Sequence, residues 1–395
     1  MDCLRRLVDP RCTMRVCVDI QAAVAQSAGV GRYVHEMVRH LAATLPPETE
    51  LVLFYFDFLR RARSASVSKA VVKPWRLAPG SLIQQLWKRG MGPPFDQLAG
   101  EADVYHFPNF ILPPLHRGRS VVTIHDLSFI RLPDTTEEKN LQYLTARIRD
   151  TVSRADLIVT DSEFSAREAE DLLEVKSDRL SVVYPGIDTR FFPQEEPEIA
   201  RMRLLLSLPR PYILTVGTIE PRKNHAFLIE VFEGLEEFDG DLVIVGRRGW
   251  KCTPILERIR TSSRRGHIRW LAGINDHLLT ALYSGAELFV FPSLYEGFGF
   301  PPLEALACGC PVVSSAAGSL AEILGRTGSP AKLVDGFDRD RWGETIRRAL
   351  SDSDWRHLSA SRGPDYARQY RWEDAARTMW ENYQRLVSIG RDRQG

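Results

Sequence analysis

The chain has 395 residues, 44% of them hydrophobic and 26% charged, and 52 lysines and arginines against 51 acids leave a formal charge of +1. That balance excludes a polyanion-binding surface spread over the whole molecule and predicts no nucleic-acid partner. The length suits two domains of roughly 180 residues each better than one core. No run approaches the ~18 to 20 apolar residues that a spanning helix needs. The first residues lack the apolar segment of a signal peptide. Cys3, Cys12, Cys17, Cys252, Cys308 and Cys310 show neither zinc nor redox spacing, so reduced thiols, a cytoplasmic location and no metal site are expected.

In chain order, residues 1–13 read as a frayed extension. A short apolar strand over 15–19 leads to Ala28-Gly29-Val30-Gly31-Arg32-Tyr33 and a helix over 31–45, with Val34, Met37, Val38 and Leu41 on one face. Strand, glycine pair and helix open a Rossmann-like unit. The pair Gly29 and Gly31 lacks the full dinucleotide fingerprint, so it serves either a tight turn or a phosphate or sugar contact. A second strand covers 51–56. From Arg60 to Arg89 the chain is basic and free of acids, with Leu82, Ile83 and Leu86 placed to share a helical face beside Trp87. It reads either as a surface helix with a solvated side or as a segment that docks on anionic lipid.

Strands over 103–107 and 120–124 end in Pro108-Asn109 and His125-Asp126. Strand C-termini are where open α/β sheets bind ligands, so His125 is either a structural histidine satisfied by its neighbouring acid or a site residue. A helix over 137–153, a strand over 156–160, a helix over 162–173 and a strand over 180–183 continue the alternation. The proline-bearing segment to Pro197 is the expected linker. The second series starts with a strand over 212–216. It ends in Gly217-Thr218-Ile219-Glu220-Pro221-Arg222-Lys223-Asn224 before a helix over 225–237. Two cations at a helix start oppose the dipole unless both point to solvent or an anion sits there, and a phosphate supplies that anion. Strands over 241–245, 267–271 and 287–291 follow, each with a helix after it. Strands over 311–314 and 331–334 and helices over 338–351, 354–369 and 372–388 complete the chain. The fold class is α/β, two Rossmann-like domains facing across a cleft.

The densest stretch is Phe291 to Pro311, FPSLYEGFGFPPLEALACGCP. A strand stops at Pro292 and Ser293, a turn carries Gly297, Phe298 and Gly299, and a helix is expected over 303–307 with Glu304 in its first turn. Such a junction offers unpaired backbone N–H groups to a phosphate or sugar. Glu296 and Glu304 are placed either to accept from vicinal hydroxyls or to act as a solvated loop acid and a dipole-complementing acid.

The block Pro292-Ser293-Leu294-Tyr295-Glu296-Gly297-Phe298-Gly299-Phe300-Pro301-Pro302-Leu303-Glu304 resembles the Glu-x7-Glu signature of retaining family-4 glycosyltransferases with the GT-B fold. The glycine pair near residue 30, Thr123-Ile124-His125-Asp126-Leu127, Asp161-Ser162-Glu163-Phe164-Ser165, Val183-Tyr184-Pro185-Gly186-Ile187-Asp188 and the Glu220-Pro221-Arg222-Lys223-Asn224 run resemble further landmarks in the family's order, from about Val16 to Tyr383. The resemblance implies an acceptor domain over 14–195, a donor domain over 205–370 and a helix over 371–390 packing back on the first domain. It implies a nucleotide-diphosphate sugar as donor, GDP-mannose favoured, with no cofactor or metal, and a hexose, mannose or a deoxyhexose, passed to a glycan or lipid-linked acceptor in polysaccharide assembly. Peripheral contact with the inner membrane surface goes with the basic segment.

By the same resemblance, Lys223 and Arg222 hold the diphosphate, Glu304 the ribose and Glu296 the hexose, beside Gly297 and the backbone N–H groups of Phe298 and Gly299. Gly29 and Gly31 approach from the first domain, and His125 faces the sugar. Thr218, Leu303 and, for the base, Gly273 and Ile274 complete the donor set. Thr218 stands where many relatives carry arginine. The runner-up functions are a sugar-nucleotide epimerase of this fold and a non-catalytic nucleotide-sugar binder.

Overall fold

The computed structural model describes residues 14–25, 29–60 and 67–392. The extension over 1–13, Ala28, Arg61 and Arg63 lie outside them. The first sheet contains β1 (Met14–Asp19), β2 (Thr49–Phe56), β3 (Ala70–Trp75), β4 (Val104–Phe107), β5 (Arg119–Ile124), β6 (Leu157–Thr160) and β7 (Leu180–Val182). The second contains β8 (Tyr212–Val216), β9 (Asp241–Val245), β10 (Ile268–Leu271), β11 (Leu288–Phe291), β12 (Val312–Ser315) and β13 (Lys332–Val334). Every pairing is parallel, as at Val16 with Leu51 and Phe289 with Val312. The strand orders are β3-β2-β1-β4-β5-β6-β7 and β10-β9-β8-β11-β12-β13. Each order reverses once, between β1 and β4 and between β8 and β11, and ligands bind open α/β sheets outside the strand ends at such points. Central strands are buried on both faces, which is why they read as continuous apolar runs.

Four details differ from the sequence reading. Strand β3 lies inside the basic segment. Its Pro74 is tolerated because β3 is an edge strand, where one side of the backbone needs no partner. The helix Gly80–Lys88 buries Ile83 and Trp87, one turn apart, and leaves Leu82 outside. The helix expected over 137–153 is two, Glu138–Thr145 and Ile148–Arg154, parted where Arg147 leaves helical geometry. The helix after β11 begins at Phe300, so Pro301 and Pro302 sit in the first turn, where a missing N–H costs nothing. Glu304 therefore falls in the second turn and does not complement the dipole at the helix start.

The final helix, Trp372–Asp392, leaves the second domain and packs against the helix Val30–Thr44 of the first. Trp372, Ala376, Met379 and Tyr383 share a core with Val34, Met37 and Leu41. The Tyr383 hydroxyl meets His106 Nδ1 at 2.7 Å, and Thr123 Oγ1 meets the other ring nitrogen at 2.8 Å.

Candidate active site

The site is built at the carboxyl ends of β8 and β11. Beyond β8, Pro221–Lys223 form one 3-10 turn capped by Asn224 in the left-handed region. That turn directs two cations at the loop after β11. Arg222 Nη1 donates to Glu296 Oε2 at 3.0 Å and to the Tyr295 carbonyl at 2.7 Å. Lys223 Nζ donates to Glu296 Oε1 at 2.6 Å, and Ser293 Oγ donates to the same oxygen at 2.5 Å. Glu296 is buried. Burial alone pushes its pKa up, but Arg222 and Lys223 outweigh it and bring the carboxyl down to about 2. Glu220 is also buried, 3.0 Å from Arg222 Nη2, and its pKa is raised because desolvation exceeds the pull of the cations. The result is a packed cluster of fixed charge whose cations stand at the edge of the cleft.

Glu304 is held differently. Its Oε2 accepts from Tyr283 at 3.0 Å, and its Oε1 accepts from Arg32 Nη1, a residue of the first domain, at 2.9 Å. Arg32 Nη2 also reaches Asp276 Oδ1 at 2.5 Å, and Arg190 Nη1 holds the other Asp276 oxygen at 2.5 Å. Burial raises the Glu304 pKa, and Arg32 and Tyr283 offset it only in part. The two glutamates thus sit in opposite electrostatic states.

The domains touch over the loop that joins these carboxylates. A Cβ at Gly297 would lie 1.9 Å from the His125 carbonyl oxygen, so only glycine permits this approach. Ser162 Oγ donates to the Gly297 carbonyl at 2.7 Å. Gly299 caps the following helix with φ at 97°, which also favours glycine. On another rim, Trp250 Nε1 donates to the Thr135 carbonyl at 2.6 Å and Lys251 Nζ to that of Asp134 at 2.6 Å. Glu322 accepts from the N–H groups of Glu163 and Phe164, across the domains, at 3.1 and 2.7 Å.

His125 differs from expectation. Its Nδ1 lies 2.7 Å from Asp161 Oδ2 and its Nε2 3.0 Å from the Pro108 carbonyl, so neither ring nitrogen is open to a sugar. With Asp161 ionised both partners are acceptors, an arrangement that suits the doubly protonated ring. Burial opposes that charge, yet Asp161 and the carbonyl raise the pKa above its ordinary value. The part of His125 that meets the second domain is its carbonyl.

Of the other expected residues, Gly31 is buried at the start of its helix, next to Arg32, while Gly29 is exposed with φ at 57°. Thr218 and Gly273 are exposed and Ile274 is half-buried. Leu303 and Phe298 pack into the second-domain core, so their side chains support the loop from beneath and do not line it. Sequence reasoning missed Arg32, Asp276, Tyr283, Glu220 and Ser293. Arg32 had a usable signal, because a cation in the first turn of a helix opposes the dipole unless an acid or other anion meets it.

Two facing parallel sheets of this strand order define the GT-B fold. Solved structures agree on the fold. Sucrose-phosphate synthase from Thermosynechococcus elongatus superposes with a TM-score of 0.75 at 19% identity, covering 95% of this chain and 100% of that one. Anabaena Alr3699/HepE in complex with UDP and glucose superposes with a TM-score of 0.71 at 17% identity, covering 94% and 99%. Residues 198–365 match the family described as Glycosyl transferases group 1, and residues 27–191 match Glycosyltransferase Family 4. The O-antigen chain mannosyltransferase B of Escherichia coli is 32% identical over 383 residues, 91% of this chain and 96% of the relative. The chain belongs to the family-4 glycosyltransferases.

Proposed function

We propose that the enzyme transfers a hexose, mannose or a deoxyhexose, with retention of configuration and without a metal ion. The donor is a nucleotide-diphosphate sugar, GDP-mannose favoured, and the acceptor a glycan or lipid-linked saccharide in assembly of a surface polysaccharide of the O-antigen kind. The observation that carries this reading is the convergence of Arg222 and Lys223 on one buried carboxylate beside a strand end. Fixed cations in a water-poor site stabilise a charge that develops there far better than solvent does. Such charge appears when the anomeric C–O bond breaks and its electron pair stays on the nucleoside diphosphate. The acceptor oxygen then bonds to the anomeric carbon on the same face, and its proton passes to the departing phosphate. Arg222 and Lys223 supply the positive charge that a divalent ion supplies elsewhere. Glu304 receives the ribose hydroxyls once Arg32 moves, Glu296 orients the hexose, and the His125 carbonyl helps close the cleft. The mannosyltransferase name of the Escherichia coli relative supports the sugar.

Leu77, Leu82 and Met91 are exposed in the same basic segment that carries exposed Lys88 and Arg89, which supports peripheral contact with an anionic membrane face. Separation of the enzyme from phosphatidylglycerol vesicles on flotation would sink that part.

Lys223→Ala tests the main reading. Transfer from GDP-mannose should fall roughly a hundredfold or more, with the circular dichroism spectrum unchanged. Unimpaired transfer would remove Lys223 from the donor site. Thermal shifts with GDP-, UDP-, ADP- and dTDP-sugars rank the donors, because a ligand of the folded state raises the melting temperature.

A further inference from the structure

The outer face of the first domain carries a cleft of about 830 Å3 that shares no residue with the donor site. It lies between the end of the helix Gly80–Lys88, the loop over 114–116 and the helices Glu138–Thr145 and Ile148–Arg154. Trp87 and Tyr143 give it aromatic surface, and Lys88, Lys139 and Arg147 give it positive charge. Its other charges are matched within the protein. Arg154 bonds Asp150 at 2.8 Å and the Leu112 carbonyl at 2.6 Å. Lys88, Lys139 and Arg147 have no carboxylate partner among the described residues. Two of them nevertheless converge: Lys88 Nζ lies 4.9 Å from the centre of the Tyr143 ring and Arg147 Cζ 5.8 Å from the same centre. One aromatic ring is a weak substitute for a counter-ion, and neither cation has a carboxylate to balance it. An anion held in the cleft supplies that missing counter-charge.

We propose that this cleft is a binding site for a phosphate-type oxyanion. Lys88 and Lys139 act as point charges, the planar Arg147 guanidinium donates to two oxygens, and Tyr143 and Trp87 lie against the group that carries the phosphate. A phospholipid headgroup and a phosphate on an acceptor glycan present the same chemistry. The inference is independent of the donor-site assignment, since none of these residues contacts Glu296, Glu304, Arg222 or Lys223.

The test uses the full chain, the single variant Lys88→Ala and the double variant Lys88→Ala with Arg147→Ala. Tryptophan fluorescence, with Trp87 as a reporter in the cleft, follows titration with inorganic phosphate and glycerol phosphate. Cosedimentation follows binding to vesicles of phosphatidylglycerol or of phosphatidylcholine. Loss of one charged donor should weaken binding roughly tenfold and loss of two considerably more. Nucleoside diphosphate binding should stay unchanged in both variants, which shows that they fold and that the donor site is intact. A response to soluble phosphates identifies a soluble phosphorylated ligand. Selective binding to phosphatidylglycerol, weakened in the variants, identifies a lipid headgroup. No binding in either arm, or equal binding by wild type and variants, overturns the proposal.

Discussion

Glu296→Gln separates the charge of this side chain from its shape. The carboxylate accepts from Lys223, Arg222 and Ser293 at 2.6, 3.0 and 2.5 Å, and its pKa falls from an ordinary 4.5 to about 2. The gap between those values corresponds to about 3 kcal/mol of stability at neutral pH. A second route gives a similar size, since removing one partner of a buried ion pair costs about 3 to 5 kcal/mol. For a domain of this size about 3 kcal/mol lowers the melting temperature by roughly 6 to 12 °C. The sign with pH follows from the depressed value. The contribution is complete above pH 4.5 and is lost as the pH falls toward 2. The variant should lose less stability than wild type over that acid range.

Added nucleoside diphosphate should act in the opposite sense. In wild type the diphosphate must share Arg222 and Lys223 with Glu296, whereas in the variant those cations face a neutral amide. The rise in melting temperature on saturation should therefore be larger in the variant, although transfer declines. Differential scanning calorimetry at pH 7 and at pH 3, with and without ligand, reads both effects. A variant as stable as wild type, or one whose ligand-induced rise is no larger, would refute the view that Glu296 is the internal counter-ion of a diphosphate site.

Two further outcomes concern closure. Gly297→Ala places a methyl group where only 1.9 Å separates it from the His125 carbonyl oxygen. Turnover should fall by roughly a hundredfold through misplacement of the reacting groups, while nucleotide affinity, measured by calorimetry, stays within a few fold; normal turnover contradicts the closed geometry. Arg32→Gln removes the contacts from the first domain to Glu304 and Asp276, worth about 2 kcal/mol as charge-assisted bonds. Small-angle scattering should show a larger radius of gyration for the ligand-free variant than for wild type, and equal radii would mean that Arg32 does not hold the cleft shut.

Much of the fold was legible because parallel strands covered on both faces must be apolar throughout and end at glycines or prolines, as at Val216-Gly217 and Phe291-Pro292. Strand β3 was hidden because an edge strand escapes that rule and here carries Lys73 and Pro74. Arg222, Lys223 and Glu296 could be nominated because each follows a strand end within a few residues. Arg32 with Glu304 and Arg32 with Asp276 are separated by 272 and 244 residues, and no local period encodes contacts made only when two domains close. The chemistry of His125 was equally hidden. Its strand-end position was readable, but the capture of both ring nitrogens depends on Asp161 and on the Pro108 backbone.

The unequal treatment of the two glutamates gives the proposed donor site its polarity. Glu296 is compensated by two cations of its own domain, so the charge that can be shared with a ligand at that end is positive and suits the diphosphate. Among the described residues Glu304 has no cation from its own domain as a partner, only the Tyr283 hydroxyl and Arg32 from across the cleft. When Arg32 withdraws, a buried carboxylate with a raised pKa is left needing donors, and neutral hydroxyls meet that need without adding charge. On the proposed donor-site reading, the ribose and the first-domain arginine are alternative partners for one carboxylate. On that reading, ribose entry and withdrawal of the first-domain arginine are one exchange at Glu304, and the diphosphate end of the nucleotide lies toward Arg222 and Lys223.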